Sequence, residues 1–104
     1  MDDRLTIEAE VLDEIKAILR SALPEDANVY IYGSRAKGKA RPYSDVDLAF
    51  DNGGQAMPDE VMSDLRIKFE FSSLPYKVDV TDLNTISDSF RSAIQNDLIE
   101  VKIS

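Results

Sequence analysis

Residues 28–50 read Asn28-Val29-Tyr30-Ile31-Tyr32-Gly33-Ser34-Arg35-Ala36-Lys37-Gly38-Lys39-Ala40-Arg41-Pro42-Tyr43-Ser44-Asp45-Val46-Asp47-Leu48-Ala49-Phe50. Asn28–Tyr32 is β-branched and aromatic, which predicts a strand running straight into Gly33-Ser34. Arg35 to Tyr43 is basic and irregular, with Gly38 and Pro42 as breakers. Asp45 to Phe50 alternates carboxylates with apolar residues and predicts a second strand. Residues two apart on a strand share a face, so Asp45 and Asp47 would lie together, roughly 6–7 Å between Cβ atoms, with Val46 and Leu48 turned to a core. Two acids on one face of a strand are costly unless solvated or neutralised. Both could reach one metal ion or a metal pair.

Outward from this stretch the pattern alternates between helices and strands. Ile7, Val11, Ile15, Ile18, Leu19 and Ala22 recur at helical spacing, with Thr6 as the expected cap and Pro24 at the exit. Asp51-Asn52-Gly53-Gly54 is expected to be a loop. A second helix is expected over Asp59 to Ser72, with Val61, Leu65 and Phe69 on its inner face. A third strand is expected over Tyr76 to Thr81. A third helix near Ser87 to Asn96 would bury Phe90, Ala93 and Ile94. Ile99, Val101 and Ile103 alternate with Glu100 and Lys102, as in a half-buried final strand. The order α-β-turn-β-α-β-α-β predicts an α+β fold with a small mixed sheet, a single domain over residues 1–104.

Composition narrows the chemistry. With no cysteine and no histidine, the chain has no disulfide, thiolate nucleophile, histidine base or histidine-based zinc site. Carboxylates, hydroxyls and lysines remain, an inventory that suits hard cations such as Mg²⁺. Twenty acids against twelve bases, net −8, argue against general nucleic-acid binding. No apolar run approaches the roughly 20 residues that span a bilayer, and the expected location is cytoplasmic with no membrane partner.

Two further features gather around the acid pair. Asp79 sits between Val78 and Val80, a lone acid in an apolar strand. If that strand neighbours the Asp45–Phe50 strand, about 4.8 Å away, three carboxylates converge on one patch and call for a cation. Asp82 is a rival for the third position; Asp79 is preferred because apolar residues flank it. Gly33 lets a phosphate approach the backbone, and Ser34 can offer its hydroxyl and N–H to it. Arg35, Lys37, Lys39 and Arg41 crowd a stretch, Ala27 to Ser44, that holds no acid, and Arg35 is the cation nearest the glycine turn. Gly33 to Lys39 nearly spells a P-loop, but Ala40 stands where Ser or Thr must bind Mg²⁺.

Gly33-Ser34-Arg35-Ala36-Lys37-Gly38, Ser44-Asp45-Val46-Asp47-Leu48 and Val78-Asp79-Val80 together resemble the DNA polymerase beta-type nucleotidyltransferases, and more narrowly the minimal nucleotidyltransferase (MNT) antitoxins of HEPN toxins. The resemblance runs from Val29 to about Val80. It implies a mixed sheet with helices packed on one side. It implies that Asp45, Asp47 and Asp79 are the catalytic, metal-binding acids of a two-ion Mg²⁺ site. It implies that Gly33, Ser34, Arg35 and Ser44 bind the nucleotide. In the antitoxin branch it implies transfer of AMP from ATP to a tyrosine of a HEPN ribonuclease. Two other readings stand beside this: a non-catalytic module that neutralises its partner by binding, and an enzyme acting on a small hydroxylated molecule. Relatives of the latter kind carry an extra helical domain over the acceptor, so the expectation here is an acceptor site completed by another chain. No motif that reads the base is visible.

Overall fold

The structure is a computed structural model that describes residues 7–38 and 44–103. Its elements are α1 (Ala9–Ala22), β1 (Asn28–Tyr32), a 3-10 turn (Ser34–Ala36), β2 (Val46–Asp51), α2 (Asp59–Glu70), β3 (Val78–Asp82), α3 (Asp88–Ile94), a second 3-10 turn (Gln95–Asp97) and β4 (Ile99–Val101). They follow the order expected from the sequence pattern. The four strands form one mixed sheet ordered β3-β2-β1-β4. β1 is antiparallel to both β2 and β4, and β2 is parallel to β3. A parallel pair needs a crossover, and α2 supplies it.

The side-chain alternation of the strands divides the sheet into two unlike faces. Val29, Ile31, Val46, Leu48 and Phe50 turn to one face and are buried there against Leu12, Ile15 and Leu19 of α1 and Met62, Leu65 and Phe69 of α2. This is the main core, and it forms because the two longer helices lay their apolar stripes on that face. The other face carries Tyr30, Tyr32, Asp47, Ala49, Asp79 and Thr81. A smaller cluster of Tyr32, Ala49, Leu83 and Ile94 ties α3 to it.

Several boundaries and burials differ from the sequence expectations. Thr6 lies outside the described residues, and Glu8 occupies the N-cap of α1 without a side-chain cap bond. Its carboxylate instead accepts from the Tyr76 hydroxyl at 2.8 and 2.9 Å. The centre of the α1 stripe is Leu12, Ile15 and Leu19, with Val11 and Ile18 at its margins. α2 stops at Glu70, with Phe71 as its C-cap. α3 is only seven residues long, and of its three expected core residues only Ile94 is buried. Phe90 and Ala93 are exposed, because so short a helix touches the sheet along a single line.

Candidate active site

The strand register brings the sequence-predicted acids together. Asp47 of β2 stands directly across from Asp79 of β3. Tyr32, the last residue of β1, stands across from Asp47 on its other side. Asp45 immediately precedes β2 and is exposed, two residues from Asp47. Burial raises the Asp47 carboxyl from 3.8 to about 6, and the charges of Asp79 and Asp45 push it the same way. A carboxylate that resists ionisation beside two others is a site that favours a cation. The Lys77 ammonium lies 3.6 Å from Asp79, but both groups are well exposed and the pair is weak.

Among the described residues no group of three or more carboxylates is arranged so that it could by itself hold a metal ion. The convergence expected of Asp45, Asp47 and Asp79 is therefore that of a shared patch. The donor set suits a divalent cation that takes one or two carboxylates and finishes its shell with water and substrate phosphate, the habit of Mg²⁺.

Gly33 closes the site from above. Its φ of 77° and ψ of −158° lie in a region that only glycine adopts without strain. A Cβ built on Gly33 would strike Asp47 Oδ2 and come within 3.3 Å of its Cγ. Gly33 is thus required twice, for its backbone angles and for the room it leaves Asp47. Ser34 opens the 3-10 turn that follows; Ala36 N donates to Gly33 O at 3.1 Å and Lys37 N to Ser34 O at 3.2 Å. The turn places Ser34, half-buried, at the carboxylate end of the sheet.

Arg35 occupies a different position from the one its sequence neighbourhood suggests. It is only 3 % exposed. Its Nε and Nη2 donate to the Ser44 carbonyl at 3.0 and 2.9 Å, and its guanidinium lies 3.9 Å over the Tyr76 ring. The planar fork of arginine suits this double use, two bonds converging on one carbonyl oxygen at the edge and stacking at the face. Arg35 therefore pins the start of β2, where Asp45 and Asp47 emerge, to the turn after β1. Tyr76 extends the brace to α1 through Glu8, and the bond to Glu8 raises the Tyr76 hydroxyl and lowers the Glu8 carboxyl. Nothing in the local sequence singled out Tyr76 or Glu8 as parts of this brace. Ser44 meets Arg35 through its carbonyl, and Lys37 reaches Asp97 at 3.2 Å. Lys39 and Arg41 lie outside the described residues.

The structure separates Asp79 from its rival. Asp82 lies on the opposite, helix-covered face and is only 6 % exposed. It accepts from Met57 N at 2.6 Å and Asn84 N at 3.0 Å, anchoring the loops that flank β3. Asp79 lies on the open face of an edge strand. Beside it a groove of about 540 Å³ runs between β3 and the C-terminal end of α2, lined by Arg66, Phe69, Leu74, Tyr76, Asp79 and Val80.

Comparison with known proteins agrees with this fold. The family model described as polymerase beta, nucleotidyltransferase, matches residues 13–102. The chain is 40% identical over 94 residues to the probable protein adenylyltransferase MntA of Haemophilus influenzae, covering 88% of this chain and 79% of that protein. Among solved structures it is similar to a toxin–antitoxin crystallised with AMP-PNP, with a TM-score of 0.69 at 24% identity over 86% of this chain and 70% of that one. It is also similar to a mutant of the MntA–HpeT toxin–antitoxin, with a TM-score of 0.69 at 22% identity over 93% and 73% of the two chains. These two likenesses show the shared fold.

Proposed function

This chain belongs to the polymerase beta nucleotidyltransferase family, and from that premise we propose that it is an antitoxin that transfers AMP from ATP to a tyrosine of a HEPN-type toxin. The observation that carries the reading is the row Gly33, Asp47, Asp79: a glycine without room for a side chain, against one carboxylate, against a second in register with it. The 40% identity to a protein adenylyltransferase supports the choice of group transferred. The AMP-PNP complex of a structural relative supports ATP as its source.

In this reading Gly33 and Ser34 hold the β and γ phosphates, where a bare backbone and a hydroxyl meet the oxygens. Asp45, Asp47 and Asp79 are the residues that would hold Mg²⁺, which would supply charge neutralisation along the triphosphate. Ser44 and Arg35 keep the acid-bearing segment in place. The acceptor enters on the side of Asp79, where the sheet edge is open. Its hydroxyl oxygen attacks the α-phosphorus, the bond to the bridging oxygen of the β-phosphate breaks, and pyrophosphate leaves. In this reading Asp79 takes the hydroxyl proton. Such a transfer asks the protein for positioning and charge more than for covalent chemistry.

The test is transfer of label from α-labelled ATP in an extract that contains the native partner, with wild type compared against Asp45→Asn/Asp47→Asn. Label moving to one discrete protein, onto tyrosine, and only with wild type, is the expected result. A double variant that transfers label as well as wild type removes Asp45 and Asp47 from the site. A double variant that transfers nothing yet still neutralises the toxin would make occlusion the means of silencing.

A further inference from the structure

β3 pairs with β2 on one side, and among the described residues no strand lies on its other side. Which of its backbone groups face that free edge follows from the two ends of the ladder. Val46 N donates to Lys77 O and Leu83 N to Phe50 O, both at 2.9 Å. In a parallel pair alternate residues turn their N–H and C=O to the neighbour, so Lys77, Asp79, Thr81 and Leu83 bond to β2. Val78 and Val80 turn theirs outward, where they can pair with one more strand. The side chains of Val78 and Val80 pack on the core side of the sheet, while Asp79 lies on the open face. The groove of about 540 Å³ follows this edge on the core side, walled by Phe69, Leu74, Val78 and Val80, and it reaches Asp79.

A free ladder edge, an apolar groove on one side of it and a carboxylate on the other form one continuous surface. We propose that this surface binds an extended segment of the acceptor protein as a strand added beside β3. The inference rests on the proposed transfer reaction, in which the acceptor enters on the side of Asp79. Main-chain bonds to Val78 and Val80 would hold such a strand, and its alternate side chains would set the specificity. Neighbouring strands keep their side chains in common layers. The residue beside Asp79 therefore points to the open face, and the residues before and after it point into the groove. The segment recognised is an acceptor tyrosine between two apolar residues. The groove lining carries the cations Arg66 and Lys77 and the acids Glu70 and Asp79, so its charges balance and apolar surface does the selecting. A second copy of this chain suits the edge poorly, because its own β3 would bring Asp79 and Asp82 to a patch already rich in carboxylates.

The experiment is transfer from α-labelled ATP to the native acceptor protein in extract by wild type, Val78→Pro and Val78→Thr, with MgATP affinity measured beside it. An edge strand tolerates proline where its N–H faces outward, so Val78→Pro spares the ladder with β2 and blocks the added one, whereas Val78→Thr keeps the N–H. Val78→Pro is expected to lower transfer about tenfold, the worth of one lost hydrogen bond, with MgATP affinity unchanged, and Val78→Thr to transfer as wild type does. Transfer by Val78→Pro at the wild-type rate overturns the added strand. Equal loss in both variants overturns it too, because the effect would then lie in side-chain packing. If Val78→Pro also loses MgATP, amide exchange of the wild type decides: Val78 and Val80 amides that slow when the purified acceptor protein is added support the strand, and unchanged exchange overturns it. Absence of label with wild type is a distinct failure, that of the transfer reading, and removes this inference with it.

Discussion

Removing the charge of Asp47 should stabilise the metal-free protein while destroying its activity. Its carboxyl is raised from 3.8 to about 6 by burial, and by Asp79 and Asp45. At 1.36 kcal/mol per pK unit the full gap corresponds to about 3 kcal/mol. Asp47 is only half-buried, and solvent screening reduces this to about 1–1.5 kcal/mol. The sign follows from proton binding. Between pH 3.8 and about 6 the folded chain holds a proton on Asp47 that the unfolded chain has lost. The contribution of Asp47 is thus complete below pH 3.8 and disappears as pH rises through about 6. Asp47→Asn cannot ionise and keeps its shape beside Gly33. In the presence of a chelator, the variant should melt about 4–10 °C above wild type at pH 8 and match it at pH 4. Thermal melts of both proteins across that range measure the difference directly, and titrating groups far from Asp47 cancel. Added Mg²⁺ should raise the wild-type melting temperature at pH 8 and leave the variant unmoved, since a ligand that binds only the folded state stabilises it. A difference that stays flat from pH 4 to pH 8 would refute the reasoning.

The remaining predictions concern the frame around the acids. Gly33→Ala must adopt a glycine-only conformation and displace Asp47, at about 1–3 kcal/mol, so its melting temperature should fall and nucleotide transfer should drop at least tenfold; normal transfer would show that the contact is unimportant. Arg35→Met frees the Ser44 carbonyl and unstacks Tyr76, which should cost about 1.5–3 kcal/mol in denaturant unfolding. Asp82→Asn should destabilise by about 1–3 kcal/mol with nucleotide binding intact, because one of its two accepted backbone bonds is lost. Asp79→Asn should do the reverse, keeping stability and losing transfer; the two variants measured side by side decide which acid serves the site.

The sequence determined a good deal without help. Alternation of apolar residues and acids identified β2 and β3, and the glycine–serine step identified the turn, because period-two patterns and missing side chains are local properties. Such signals singled out Asp45, Asp47, Asp79, Gly33 and Ser34, and the structure sets Asp47 beside Gly33 and in register with Asp79. Three matters were decided only by the tertiary structure. The register between β2 and β3, 31 residues of chain apart at Val46 and Lys77, sets Asp47 against Asp79 and leaves Asp82 beneath the helices. Arg35 looked like a phosphate ligand among cations, yet it is buried on the Ser44 carbonyl and under the Tyr76 ring, which comes from a distant segment. Phe90 looked like core by its helical spacing and stands half in solvent, since α3 is too short to be covered on more than one side. Local pattern states which face of an element is apolar; which neighbour that face meets depends on how distant strands pair, and pairing is a property of the whole chain.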